Sequence, residues 1–154
     1  LREAKNTSFN IHGETERADE KFYETELYEN TCQKTALYSS KNLIWKDIGD
    51  TIAISRFRRI YDMAETASKR SKHLYKYKII DHNAPQMNFI ILEYFDGSSE
   101  VLFNWDFRRI GQDPKVMLSR DIQIVEMFAV QFDLLWKKAS PDHDNIATKS
   151  IETK

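Results

Sequence analysis

Apolar residues recur along this chain with two different periods, and the points where the period changes divide it into elements. From Leu74 to Ile80 apolar and polar side chains alternate, which predicts a half-buried strand. Asn88 to Phe95 and Glu100 to Trp105 are two apolar runs joined by Asp96-Gly97-Ser98-Ser99, which predicts a β-hairpin. Helical spacing appears three times. Phe22, Tyr23, Leu27 and Thr31 predict a helix over Glu16 to Cys32, and Ala53, Phe57, Ile60, Ala64 and Ala67 predict another over Thr51 to Ser68, capped by Asp50. A last helix is expected from a Ser119 cap to about Lys138, with Val125, Phe128, Phe132, Leu135 and Ala139 along one face. Thr7 to Gly13 and Thr35 to Ser40 read as short strands, and Ile48-Gly49-Asp50 reads as a turn. Strands thus alternate with helices until the hairpin. That order predicts an α/β fold, a mixed sheet flanked by helices.

One domain is expected over Leu1 to Ala139, because the polar stretch 140–154 has no apolar period and reads as a flexible tail. A chain of 154 residues with 41% hydrophobic residues can bury a core without disulfides or metal. Its single cysteine, Cys32, excludes a disulfide framework and a multi-thiolate zinc site, and it favours a reducing, cytoplasmic setting. No apolar run approaches the ~20 residues of a membrane span, and no signal-peptide pattern is present, so no membrane partner is expected. The chain begins at Leu1 rather than Met, which suggests a part of a longer signalling or regulatory protein.

The formal net charge is −1, so no global field draws the chain to nucleic acid. Charge is nevertheless uneven. Seven acids against two bases fall between Glu14 and Glu29, and eight bases against two acids fall between Arg56 and Lys78. Such blocks are ordinarily the solvated faces of neighbouring helices. The basic block, with Arg56, Arg58, Arg59, Lys69, Arg70 and Lys72, leaves nucleic-acid binding as an alternative that is not favoured.

Catalytic signatures are sparse. There is no glycine-rich phosphate loop, no Gly-x-Ser-x-Gly elbow and no His-Glu-x-x-His helix. The four histidines stand singly, so no metal and no cofactor are expected. A phosphodiesterase or nuclease using His12 and His82 is a second alternative, and it requires the two imidazoles to face one phosphate. In an open α/β sheet, ligands sit beyond the carboxyl ends of the strands. That places four segments near an expected pocket: His12 to Glu14, Ser39 to Asn42, Asp81 to Asn83, and Asn104-Trp105.

The hairpin carries one further pattern. Gln86-x-Asn88-x-x-x-x-Glu93 opens it, and Val101-Leu102-Phe103-Asn104-Trp105 closes it. The spacing resembles the His-x-Lys-x-x-x-x-Asp motif of the phospholipase D superfamily, and the preceding strand–helix–strand order and following helix resemble its half-domain. The resemblance covers Phe9 to Ala139 in topology and only Gln86 to Trp105 in motif. In that superfamily the histidine attacks phosphorus and the lysine binds phosphoryl oxygens. Gln86 is not a nucleophile, and Asn88 carries no charge. The resemblance therefore implies a kept fold without that chemistry: a non-catalytic sensor or regulatory module with no catalytic residues. Its cleft, lined by Gln86, Asn88, Glu93 and Asn104, would hold a small polar ligand or a partner. Because one motif-bearing half fits in this length, the resemblance also implies a homodimer with the cleft near the two-fold axis.

Overall fold

In the computed structural model of the chain, residues 1–9, 26–68, 72–80, 87–103 and 116–144 are described. The elements are β1 (Glu3–Ser8), α1 (Glu26–Ser39), β2 (Ile44–Gly49), a 3-10 turn (Thr51–Ala53) running into α2 (Ile54–Ser68), β3 (Tyr75–Ile79), β4 (Phe89–Glu93), β5 (Ser99–Phe103), β6 (Met117–Ser119) and α3 (Ile122–Lys138). Six strands form one sheet in the order β3-β2-β1-β4-β5-β6. β1, β2 and β3 run parallel, and β4 to β6 are antiparallel to their neighbours. The expected mixed α/β sheet is present.

Side chains alternate across the sheet, so each face gathers its own layer. One face carries Ala4, Asn6 and Ser8 of β1, Trp45, Asp47 and Gly49 of β2, and Tyr75 and Tyr77 of β3, in register. α1 and α2 cover it, through a core of Tyr28, Cys32, Ala36, Ile60, Ala64 and Tyr75. Gly49 lets α2 approach: a Cβ there would lie 2.8 Å from Ala53 Cβ and 2.9 Å from the Phe57 ring. The opposite face carries Phe9, Ile48, Phe89, Ile91 and Val101, packed against Val125, Phe132, Leu135 and Ala139 at the end of α3. The molecule is a sheet between two helical layers.

Several boundaries depart from the sequence reading. Thr35 to Ser40 is not a strand but the last turns of α1 and the residue after it. Tyr28, Cys32, Thr35, Ala36 and Ser39 are buried at helical spacing, a face of small and polar residues too weakly apolar to show as a period. The second strand is Ile44–Gly49, where only a turn was expected, and β6 was missed. Ser119 lies in β6; the cap of α3 is Asp121, whose carboxylate accepts from the amides of Gln123 and Ile124. Asp50 caps the turn before α2 as expected. The expected first strand overlaps β1 only at Thr7 and Ser8, since β1 begins at Glu3; residues 10–13 lie outside the described residues, as do 16–25 of the expected first helix.

The stretch after α3 is docked over its first residues. Ser140 and Ile79 exchange backbone hydrogen bonds at 2.8 Å each. Asp142 is 9% exposed and accepts a forked pair of hydrogen bonds from Arg58, at 2.7 and 2.9 Å, and a third from Tyr77. Residues 145–154 lie outside the described residues. Among the described residues, no helix is long and apolar enough to cross a membrane.

Candidate functional site

The chain turns from the parallel to the antiparallel half of its sheet between β1 and β4, the place where an open α/β sheet parts to form a crevice. Backbone pairing of these strands ends at Asn6–Ile90. Beyond it, side chains take over. Thr7 Oγ1 accepts from the Phe89 amide at 2.9 Å. The Asn88 carboxamide then accepts from the Phe9 amide at 2.7 Å and donates to the Phe9 carbonyl at 2.9 Å. Asn88 is thus buried and serves as a substitute for a strand backbone, with both ends of its amide in use. Glu93 stands at the far end of β4, roughly 17 Å along an extended chain. Lys5 and Arg2 donate to its carboxylate at 3.0 and 2.7 Å. Burial pushes the Glu93 carboxyl up, but the hydrogen bonds and charges of Lys5 and Arg2 outweigh it and hold the group below its ordinary range. The structure does not bring Asn88 and Glu93 together; Gln86 and Asn104 lie outside the described residues.

His12, His82 and the expected pocket segments 12–14, 81–83 and 104–105 also lie outside the described residues. Ser39 to Asn42 is placed at the amino end of β2, opposite the expected edge, where the Ser39 carbonyl accepts from the Leu74 amide. The three arginines of the basic block on α2 each have a partner within the fold, although only Arg56 is buried. Arg56 is 8% exposed and donates to Ser8, Arg58 is held by Asp142, and Arg59 pairs with Glu29 of α1. Of the acidic block only Glu26 and Glu29 lie among the described residues, and Glu29 on α1 meets Arg59 on α2. Lys69 and Arg70 lie outside the described residues, and no group of three or more metal-ligating side chains occurs among those described.

What pattern reading missed is a polar centre under α1 and α2. Asp47 is 2% exposed; its carboxylate accepts from Asn6 at 2.7 Å and from the Tyr75 hydroxyl at 2.7 Å. The Trp45 indole N–H leans toward the same carboxylate and helps lower it, without reaching hydrogen-bond geometry. Burial pushes the Asp47 carboxyl up, and the Arg56 charge with the bonds from Asn6 and Tyr75 only partly offsets this. Burial likewise drives Tyr75 well above its ordinary value, reinforced by Asp47. Cys32 is buried beside Tyr28 and its thiol is pushed up, which makes it unreactive.

Beside this centre lies a recess lined by Asn6, Trp45 and Asp47 from the sheet, Tyr28, Thr31 and Thr35 from α1, and Arg56 and Ile60 from α2. It is a small cavity of about 20 Å³, room for little more than one water-sized group. Two lining atoms are buried without a hydrogen bond: Asn6 Oδ1, an acceptor, and Trp45 Nε1, a donor. Asn6 Nδ2 points at the Asp47 carboxylate, which fixes which end of its amide is left over. Comparison with protein families, with curated proteins and with solved structures gave no match.

Proposed function

We propose that this chain is a non-catalytic sensor or regulatory module built on a phospholipase D-like α/β half-domain, working as a homodimer. Its ligand carries a small uncharged polar group, such as a carboxamide or hydroxyl, which enters the recess between α1, α2 and the β1–β2 pair. The single observation that carries this reading is that two residues lining the recess, Asn6 and Trp45, each hold a buried polar atom, one acceptor and one donor, without a hydrogen bond of normal geometry. A buried polar atom left unpaired costs about 1–3 kcal/mol, and one group offering both a donor and an acceptor satisfies the two together. A cavity of about 20 Å³ has room for one such small polar group, and the rest of the ligand would lie outside it. Non-catalytic action rests on Gln86 and Asn88 at the positions of the family's nucleophile and phosphate-binding lysine. A reducing, cytoplasmic setting suits the lone buried thiol of Cys32.

The test uses acetamide and ethylene glycol as probes in thermal unfolding. The reading expects the midpoint to rise with probe concentration in the form of single-site binding, and the rise to disappear in Thr31→Phe, which blocks the mouth from a half-exposed position on α1. Equal midpoints in both proteins at every concentration overturn it. Cleavage of bis(p-nitrophenyl) phosphate by the purified chain overturns the non-catalytic part.

A further inference from the structure

Asn6 is shared between the recess and the buried carboxylate beside it. It lines the recess, and its Nδ2 donates to Asp47 Oδ1 at 2.7 Å and less closely to Ser8 Oγ at 3.3 Å. Its Oδ1 is buried without a hydrogen bond. A carboxamide keeps nearly the same shape when it turns over, but its donor and acceptor ends change places. Which way round it sits depends on what Asp47 offers. An ionised carboxylate only accepts, and so it holds the amide by its nitrogen. A protonated carboxyl also donates, and its proton needs an acceptor.

The surroundings favour the Asn6 side for that proton. On the other side the Tyr75 hydroxyl donates to Asp47 Oδ2 at 2.7 Å. Among the described residues that hydroxyl meets no second acceptor, so turning it away would strand a buried O–H. On the Asn6 side an unused oxygen is half a turn of the amide away. Turned over, the amide accepts the Asp47 proton on Oδ1, and the Ser8 hydroxyl can donate to the same atom. The other groups around Asp47 come from each element packed on it. α2 brings Arg56, whose charge favours the ionised form, and β3 brings Tyr75 and, on the same face, Tyr77. α1 brings Tyr28 and Cys32, with Glu29 paired to Arg59 beyond them. Burial drives Tyr75 and Cys32 further above neutral pH and lifts Asp47 toward it.

We infer that Asn6 is a selector whose orientation follows the protonation of Asp47 and sets the class of ligand the recess takes. With Asp47 ionised, the recess presents the Asn6 oxygen and takes ligands that carry a donor. With Asp47 protonated, it presents the Asn6 N–H beside the Trp45 indole and takes acceptor-only carbonyl ligands. The inference rests on the recess reading above and adds pH control of ligand class to it. Acceptor-only binding takes up one proton, so its apparent Kd rises about tenfold for each pH unit above the Asp47 titration.

The test titrates acetone, an acceptor only, and acetamide, which carries both functions, into the full chain between about pH 4 and pH 8. Binding is read on the Trp45 indole N–H signal, at each pH where the circular dichroism spectrum is native. Acetone is expected to bind at the acid end and to weaken about tenfold per pH unit above the midpoint. Acetamide is expected to keep binding at the neutral end. Asp47→Asn leaves an oxygen for Tyr75 and turns an N–H toward Asn6, as protonation does, so it is expected to bind acetone equally at every pH. Acetone affinity that is flat with pH in the wild-type chain overturns the selector while leaving the recess reading in place. So does acetone that never binds where acetamide does. A pH dependence that persists in Asp47→Asn overturns Asp47 as its source. Neither probe binding at any pH overturns both readings. Should Asp47→Asn not fold, the wild-type pH series decides alone.

Discussion

The two sides of the sheet are built on different chemistry. On the α3 side the buried layer is dry: Phe9, Ile48, Phe89, Ile91, Val101 and Phe132 meet with no charged side chain among them, and Phe89, Phe103, Phe128, Phe132 and Trp136 stack in a chain of ring contacts between 4.9 and 6.5 Å. On the α1–α2 side Asn6, Ser8, Asp47 and Arg56 are buried among the aromatic and small residues. An apolar layer gains from every contact and loses little specificity when one residue changes size. A polar layer stabilises only while every donor has its acceptor, and it becomes costly when one is removed. The dry side is therefore the mainstay of stability. The polar side is where an unfilled position can become a binding site.

The largest expected effect breaks the dry side. Phe132→Ala should destabilise by about 3–5 kcal/mol in urea unfolding, because a ring only 1% exposed leaves a cavity. A loss below about 1 kcal/mol would mean that α3 is peripheral. On the polar side, Tyr75→Phe removes one donor to Asp47 and should cost about 1–3 kcal/mol. Combined with Asp47→Asn the loss should fall short of the sum, since both changes act on one network; strict additivity would show the two residues uncoupled. Asp142→Ala should cost about 1–2 kcal/mol, by loss of the forked Arg58 contact and the Tyr77 bond. An unchanged midpoint would return Ser140 to Asp144 to the status of a loose tail.

The smallest effect is in pH, and it separates the sides by sign. Glu93 is held below the ordinary glutamate value of about 4.3, so its contribution is present above that pH and is lost as pH falls through its lowered value. Asp47 is raised above the ordinary aspartate value of about 3.9, so its contribution is fully present below that pH and is lost as pH rises through the raised value. Unfolding midpoints across pH 3 to 8 should show a shallower acid-side fall in Glu93→Gln. In Asp47→Asn the decline above about pH 4 should disappear. Asp47→Asn keeping the wild-type slope would remove Asp47 as its source.

The same contrast explains what could be seen in the sequence. Where burial is apolar, the period is plain: α2, β3, the hairpin and α3 were all legible, down to Phe132 and Leu135 on the core face. Where burial is polar, the period vanishes. Ile44-Trp45-Lys46-Asp47-Ile48-Gly49 neither alternates nor runs apolar, because Asp47 occupies a core position satisfied by Asn6 and Tyr75 from other strands. β2 was hidden for that reason, and with it the polar centre. Beyond Tyr28, the buried face of α1 is made of Cys32, Thr35, Ala36 and Ser39, which carry little hydrophobic signal, and Thr35-Ala36-Leu37-Tyr38 then passed for a strand. Asn88 was singled out as lining a ligand cleft, whereas it is buried with both ends of its amide on the Phe9 backbone, a pairing that no spacing along the chain announces.

The most direct measurement of the central claim is the indole N–H signal of Trp45 in a nitrogen–proton correlation spectrum, followed during titration with acetamide. Trp45 lines the recess and its Nε1–H makes no hydrogen bond of normal geometry, while Trp136 packs against the dry core and serves as the internal control. The account expects the Trp45 signal to shift and saturate, the Trp136 signal to stay still, and Thr31→Phe to abolish the shift. A Trp45 signal that moves no more than that of Trp136, or that saturates equally in Thr31→Phe, would contradict it.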